Sequence, residues 1–389
     1  MRKKILALIM VASLSLALLA GCATTSAPSA SSPSTSPSAS VSPSAPPPVS
    51  PSASPSASPS ASPSASPSAT PAPKLIGLVT DVGGVNDQSF NQSAWAGLQR
   101  LGNDTNASVH YIESKDDGAY TPNIDSFVDQ KADLIWGVGF MLGDSRQQAG
   151  VAYPNQQFAI VDYAYDPADV PNNNVTGVVF ASEQCSFLVG FIAGKMTKTN
   201  KVGHINGISS PTMETFAVGY YAGVLTANPN CTIMGQYSGS FGDSAAGKSI
   251  ANQYYADGAD IIYSAAGFTG SGAIEAAKEL NKWAIGVDMD QNYIAPNNVL
   301  TSALKRVDNA IYDISKEMVD GTFKGGGTRV YSLANDGVGY TTTGNFIPQD
   351  VIDQVEAVKA KIISGEIKVP STAAELEAMF PGAYNMPPA

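Results

Sequence analysis

Residues 80–98, TDVGGVNDQSFNQSAWAGL, gather Asp81, Asp87, Asn91 and the single ring of Phe90 at the end of the apolar run KLIGLVT. Carboxylates and an amide can accept from and donate to the edge of a polar molecule, while a phenylalanine covers a flat face. The pattern recurs down the chain. Asp162 closes QFAIVD, Asp288 closes KWAIGVD, Lys305 closes VLTSALK, and Gly267 follows ADIIYSAA just before the helical pattern GAIEAAKEL. Phe216 lies in SSPTMETFAVGYYAG. Two chemistries are open to such a set: recognition of a polar ligand, or hydrolysis by paired carboxylates such as Asp81 and Asp288.

Other chemistries lack their residues. His110 and His204 are the only histidines and stand in no cluster with cysteine, so no zinc site is expected. GFTGSGA has no lysine where a phosphate-cradling loop needs one, and TDVGGVND lacks the GxGxxG spacing. Neither supports an ATP or NAD site, and no cofactor is expected. Cys185 and Cys231 are too few for a disulfide framework and read as unpaired; Cys185 falls in a helical pattern, where a thiol packs as a small hydrophobe.

The elements that must position these groups alternate. KLIGLVT, ADLIWGVG, QFAIVD, NVTGVVF, KVGHING, CTIMGQYSG, ADIIYSAAG, KWAIGVD and VLTSALK read as strands. NQSAWAGLQRLG, SFLVGFIAGKMTK, METFAVGYYAGVL, GKSIANQYYADG and GAIEAAKEL read as helices between them. That alternation predicts an α/β protein with parallel sheets covered on both faces. The length favours two similar lobes over one sheet. The expected division is 74–180 plus 298–330 for the first lobe and 181–297 plus 331–389 for the second. Crossings then fall near 178–183, Asn298 and Tyr331. In such sheets ligands sit beyond the carboxyl ends of the strands, which is where each polar group above lies.

The amino terminus has a different character. MRKKILALIMVASLSLALLAGC is a basic start, an apolar core too short to span a bilayer, and a small-residue end, which together make residues 1–21 a secretory signal peptide. Its last four residues resemble the lipobox of bacterial lipoproteins, which makes Cys22 the expected lipidation site and the lipid its link to the membrane. Residues 22–73, dominated by repeated SPSA units, carry too little apolar surface to fold and read as an extended tether. The formal net charge is -11 and becomes more negative once Arg2, Lys3 and Lys4 leave, so no nucleic-acid partner is expected.

Five ordered blocks, GLVTDVGGVNDQSFNQSAWAGL, SFLVGFIAGKMTKTNKVG, SAAGFTGSGAIEAAKE, IGVDMDQ and TSALKRVDNAIYD, resemble the basic membrane lipoprotein family. Its members are substrate-binding proteins of ABC importers and include purine nucleoside receptors. The resemblance implies the periplasmic-binding-protein type I fold, two Rossmann-like lobes joined by three crossing segments, and an ABC permease as partner. It implies a purine held between Phe90 and Phe216, one from each lobe. Asp81, Asn91 and Asp162 would meet the base edge, and Asp288, Lys305 and Gly267 the ribose. Asp87 and Ser89 read more simply as caps of the first helix. Phe268 replaces a small or polar residue and would narrow the ribose end. The alternatives are a sugar or signal receptor on the same fold, and an exported nucleosidase.

Overall fold

The computed structural model describes residues 72–387. The signal peptide, Cys22 and the tether up to residue 71 lie outside the described residues.

The first half builds β1 (Leu75–Thr80), α1 (Phe90–Asp104), β2 (Ser108–Ile112), α2 (Tyr120–Asp129), β3 (Leu134–Val138), α3 (Gly143–Ala152), β4 (Gln157–Val161) and β5 (Val175–Phe180). Fully buried runs such as LIWGV of β3 need cover on both faces, and helices supply it. The chain then crosses at Ala181 and repeats the scheme. It forms α4 (Ser182–Met196), β6 (Lys201–Asn206), α5 (Pro211–Ala227), β7 (Thr232–Tyr237), α6 (Ser244–Ala256), β8 (Ile261–Ala265), α7 (Phe268–Leu280), β9 (Trp283–Asp288) and β10 (Val299–Lys305). It ends with α8 (Val307–Asp320), β11 (Thr328–Tyr331), β12 (Val338–Tyr340), α9 (Gln349–Ile363) and α10 (Ala373–Met379).

Two six-stranded sheets result, ordered β11-β5-β4-β3-β1-β2 and β12-β10-β9-β8-β6-β7. The first is parallel throughout; in the second only β12 runs antiparallel, against β10. The three crossings lie at Ala181, at Arg306 and just after Tyr331. The middle one differs from the expected Asn298, because β10 pairs in parallel with β9 and therefore completes the second sheet before the chain returns. Segment 299–305 thus leaves the first lobe, where the 298–330 boundary had it. A strand buried on both faces satisfies either sheet, so its sequence could not tell which. From Val307 onward the chain does rejoin the first lobe: Ser315 of α8 accepts a buried hydrogen bond from Trp136 Nε1 at 2.9 Å.

In the second lobe α4 and α5 are pressed together through glycines. A Cβ at Gly190 would collide with the carbonyl oxygen of Tyr220, and one at Gly223 with that of Phe187. Such contact holds the start of α4, at the first crossing, in fixed relation to α5. Cys185, in α4, and Cys231, just before β7, are both free and buried. Among the described residues no helix is long and apolar enough to cross a membrane.

Candidate functional site

The strand ends of both sheets face each other across a cleft with about 40 Å³ of free volume. Asp81, Phe90, Asn91, Asp162, Phe216, Gly267, Asp288 and Lys305 all line it. Residues far apart in the chain meet there because the parallel topology points every strand's carboxyl end the same way.

On the first lobe, the loop after β1 folds around its own carboxylates. Asp81 accepts from the Gly83 N–H at 2.9 Å and from Asn91 Nδ2 at 2.7 Å. Burial outweighs these donors, and the Asp81 carboxyl is pushed up to about 7. Asp87 accepts from the backbone N–H groups of Ser89, Asn91 and Gln92 at 2.8–3.0 Å. It thus caps α1 as expected, while also lining the cleft; its carboxyl is raised by burial as well. Asn91 Nδ2 is shared between Asp81 and Asp87, which fixes the amide's orientation because carboxylates accept. Asn91 Oδ1 is thereby turned away, buried and without a partner among the described residues. It is an acceptor waiting for a donor.

On the second lobe Asp288 is 5% exposed and its carboxyl is pushed up to about 6, chiefly by burial. Ser89 Oγ donates to it across the cleft. This corrects the expectation that Ser89 caps α1: its side chain makes no cap bond, because Asp87 already occupies the free N–H groups. Lys305, 2% exposed, pairs with Asp162 of the first lobe. Its ammonium also lies 4.6 Å, 5.2 Å and 5.5 Å from the ring centres of Phe90, Phe180 and Phe216. Asp162 and Asp288 close β4 and β9, each at φ 65°, a turn that throws the carboxylate toward the cleft.

Gly267 caps α7 at φ 55°, where a Cβ would also come within 3.1 Å of the Phe241 carbonyl oxygen. Gly139 has φ 110°, and a Cβ there would stand 3.0 Å from Asp81 Oδ2 and 3.5 Å from Phe90 Cε1. Only glycine leaves the cleft open at these two points.

Phe140, Phe241, Met213 and Gly139 line the cleft without having been singled out from the sequence. Phe140 and Phe241, one from each lobe, meet edge to face with centres 6.2 Å apart. The signal for Phe241 was present: YSGSFGD follows the β7 run, as SFN follows β1. Phe268, expected to narrow the ribose end, does not line the cleft; α7 starts there, and the chain presents Gly267 instead. No group of three or more potential metal ligands occurs among the described residues.

Residues 74–373 match the family model Bmp, described as ABC transporter substrate-binding protein PnrA-like. The chain is 40% identical over 316 residues to a Listeria monocytogenes protein named CD4+ T-cell-stimulating antigen, covering 76% of this chain and 87% of that one. It is 38% identical over 315 residues to the Lactococcus lactis protein named ABC transporter nucleoside-binding protein BmpA, covering 76% and 88%. Among solved structures, an ABC transporter solute-binding protein from Aeropyrum pernix superposes with a TM-score of 0.71 at 27% identity, over 79% of this chain and 96% of that one. The architecture is the periplasmic-binding-protein type I fold.

Proposed function

The chain belongs to the Bmp family, the PnrA-like substrate-binding proteins of ABC transporters, and we propose that it closes on a purine nucleoside and delivers it to a membrane permease. The observation that carries this reading is the composition of the cleft. Rings from both lobes offer flat apolar faces, carboxylates and Lys305 surround them, and Asn91 Oδ1 lacks the donor it needs. A purine supplies such a donor as a ring N–H or an exocyclic amino group, and its faces suit stacking against Phe90. Asp81, Asn91 and Asp162 then meet the base edge. Asp288, Lys305 and Gly267 take the ribose, whose vicinal hydroxyls both donate and accept. Four lining aspartates against one lysine disfavour a phosphate, so the ligand is a nucleoside and not a nucleotide.

For the second wall of the sandwich the family resemblance points to Phe216. That ring is 2% exposed and packs beside Lys305, whereas Phe241 stands partly exposed in the cleft. Alanine at each position separates the two. Lipidation at Cys22 and the tether of residues 22–73 would keep the lobes beside the permease on the outer side of the membrane.

Calorimetry with inosine and guanosine tests the reading. Phe90→Ala is expected to cost about 1–3 kcal/mol, roughly a five- to 150-fold loss of affinity, with the fold intact by circular dichroism. Unchanged affinity in that variant removes the sandwich. Free base accumulating in the mixture turns the assignment toward a nucleosidase, and binding of pentoses without nucleosides turns it toward a sugar receptor.

A further inference from the structure

The loop that carries Ser89, Phe90 and Asn91 is fastened to the opposite lobe by residues that do not line the cleft. Gln88 adopts φ 58°, a left-handed backbone that glutamine rarely takes. In that conformation its carbonyl oxygen accepts from Gln291 Nε2 at 2.8 Å, and its side-chain oxygen accepts from Ser271 Oγ at 2.9 Å. Gln291 is 1% exposed and tightly held on its own lobe. Its Oε1 accepts from the Val287 N–H at 2.9 Å, and its backbone N–H donates to Ser302 Oγ at 3.1 Å. The Val287 bond fixes the amide, so Nε2 can only face Gln88. Gln88, Ser271 and Gln291 are absent from the cleft lining, so these bonds do not compete with a ligand for the same atoms.

We propose that Gln88, Ser271 and Gln291 form a latch that holds the lobes shut with or without a ligand between them, and so sets how long a ligand stays. The strained backbone of Gln88 persists because it places two acceptors on the second lobe at once. Opening the cleft parts both bonds together and leaves the Gln291 amide to find water. Residence time of a nucleoside rests on the function proposed above; the latch itself does not.

Two substitutions in the full chain test it. Gln88→Asn keeps a residue that tolerates the left-handed backbone but is too short to reach Ser271. Ser271→Ala removes the donor and leaves α7 helical. Small-angle scattering without any ligand should show a larger radius of gyration for both variants than for the parent, and the double variant should match the singles. Stopped-flow dissociation of inosine should quicken by about two- to tenfold in both, with association unchanged. Ligand-free scattering curves that superimpose on the parent's overturn the latch. If inosine fails to bind the parent while the variants still open, the nucleoside assignment falls and the latch stands.

Discussion

At Asp81 two local forces oppose each other. The Gly83 N–H and the Asn91 amide donate to its carboxylate and favour charge; burial disfavours charge, and Asp87 and Asp162 add repulsion. Burial prevails, and the group titrates near 7. A carboxyl whose folded value lies above its unfolded one binds its proton more tightly in the folded chain. Its contribution to stability is therefore complete below about pH 4 and is lost as pH rises through about 7. Asp288, raised to about 6, adds a loss of the same sign. Unfolding free energy is expected to fall between about pH 4 and pH 7, by on the order of a few kcal/mol from Asp81. In Asp81→Asn this part of the slope should vanish, while the part due to Asp288 remains. Urea titrations of parent and variant across that range decide it: parallel profiles would clear Asp81 of any role in the titration.

The elements around the cleft depend on close approach as much as on burial. Phe216 and Met213 reach the cleft from α5, and α5 is placed by its contact with α4. Gly223→Ala puts a methyl into the Phe187 carbonyl, so the helices must part; a loss of about 1–3 kcal/mol is expected in urea unfolding. Phe216 and Met213 would shift with α5, so the same variant should also weaken binding of the proposed nucleoside. An unaltered unfolding midpoint would show that the helices can separate freely. The α4 and α5 patterns were legible in the sequence, as were the buried strands, because long apolar runs with flanking Gly or Asn have few other readings. What escaped has physical reasons. Strand β2, SVHYI, is an edge strand with two exposed residues and no continuous apolar run. Helix α2 carries Pro122, which resembles a break yet sits in the first turn, where its missing N–H has no partner to lose. Helix α3, GDSRQQAGVA, has no clear apolar stripe. Cleft-lining residues such as Asp81, Asp162, Asp288 and Lys305 were more legible than these elements, since they stand at strand ends that the topology aims at one place. Phe140 and Phe241 were not, because a ring beside a helix start reads equally well as core.

At the scale of the molecule the two sheets share one strand order, and at the ends of their fourth strands, β4 and β9, stand aspartates of the same φ, Asp162 just after β4 and Asp288 as the last residue of β9. The second lobe thus repeats the first, and the cleft is the seam between two carboxylate-bearing rims. Like charges facing across a seam would push the lobes apart; Lys305 counters this. It ends β10 of the second sheet yet pairs with Asp162 of the first, walled by Phe90, Phe180 and Phe216. Removing only the cation leaves Asp162 buried without a partner, at an expected cost of about 3–5 kcal/mol for Lys305→Met. Removing both charges is different. In Asp162→Asn/Lys305→Met a methionine fits among the three rings, and the remaining amide carries no charge, so most of that loss should return. Urea unfolding of the two single variants and the double variant gives the coupling energy directly. A coupling near zero would mean that Asp162 and Lys305 are each satisfied by their own lobe. The two sheets would then be joined across the seam by the Gln88, Ser89 and Phe140 contacts.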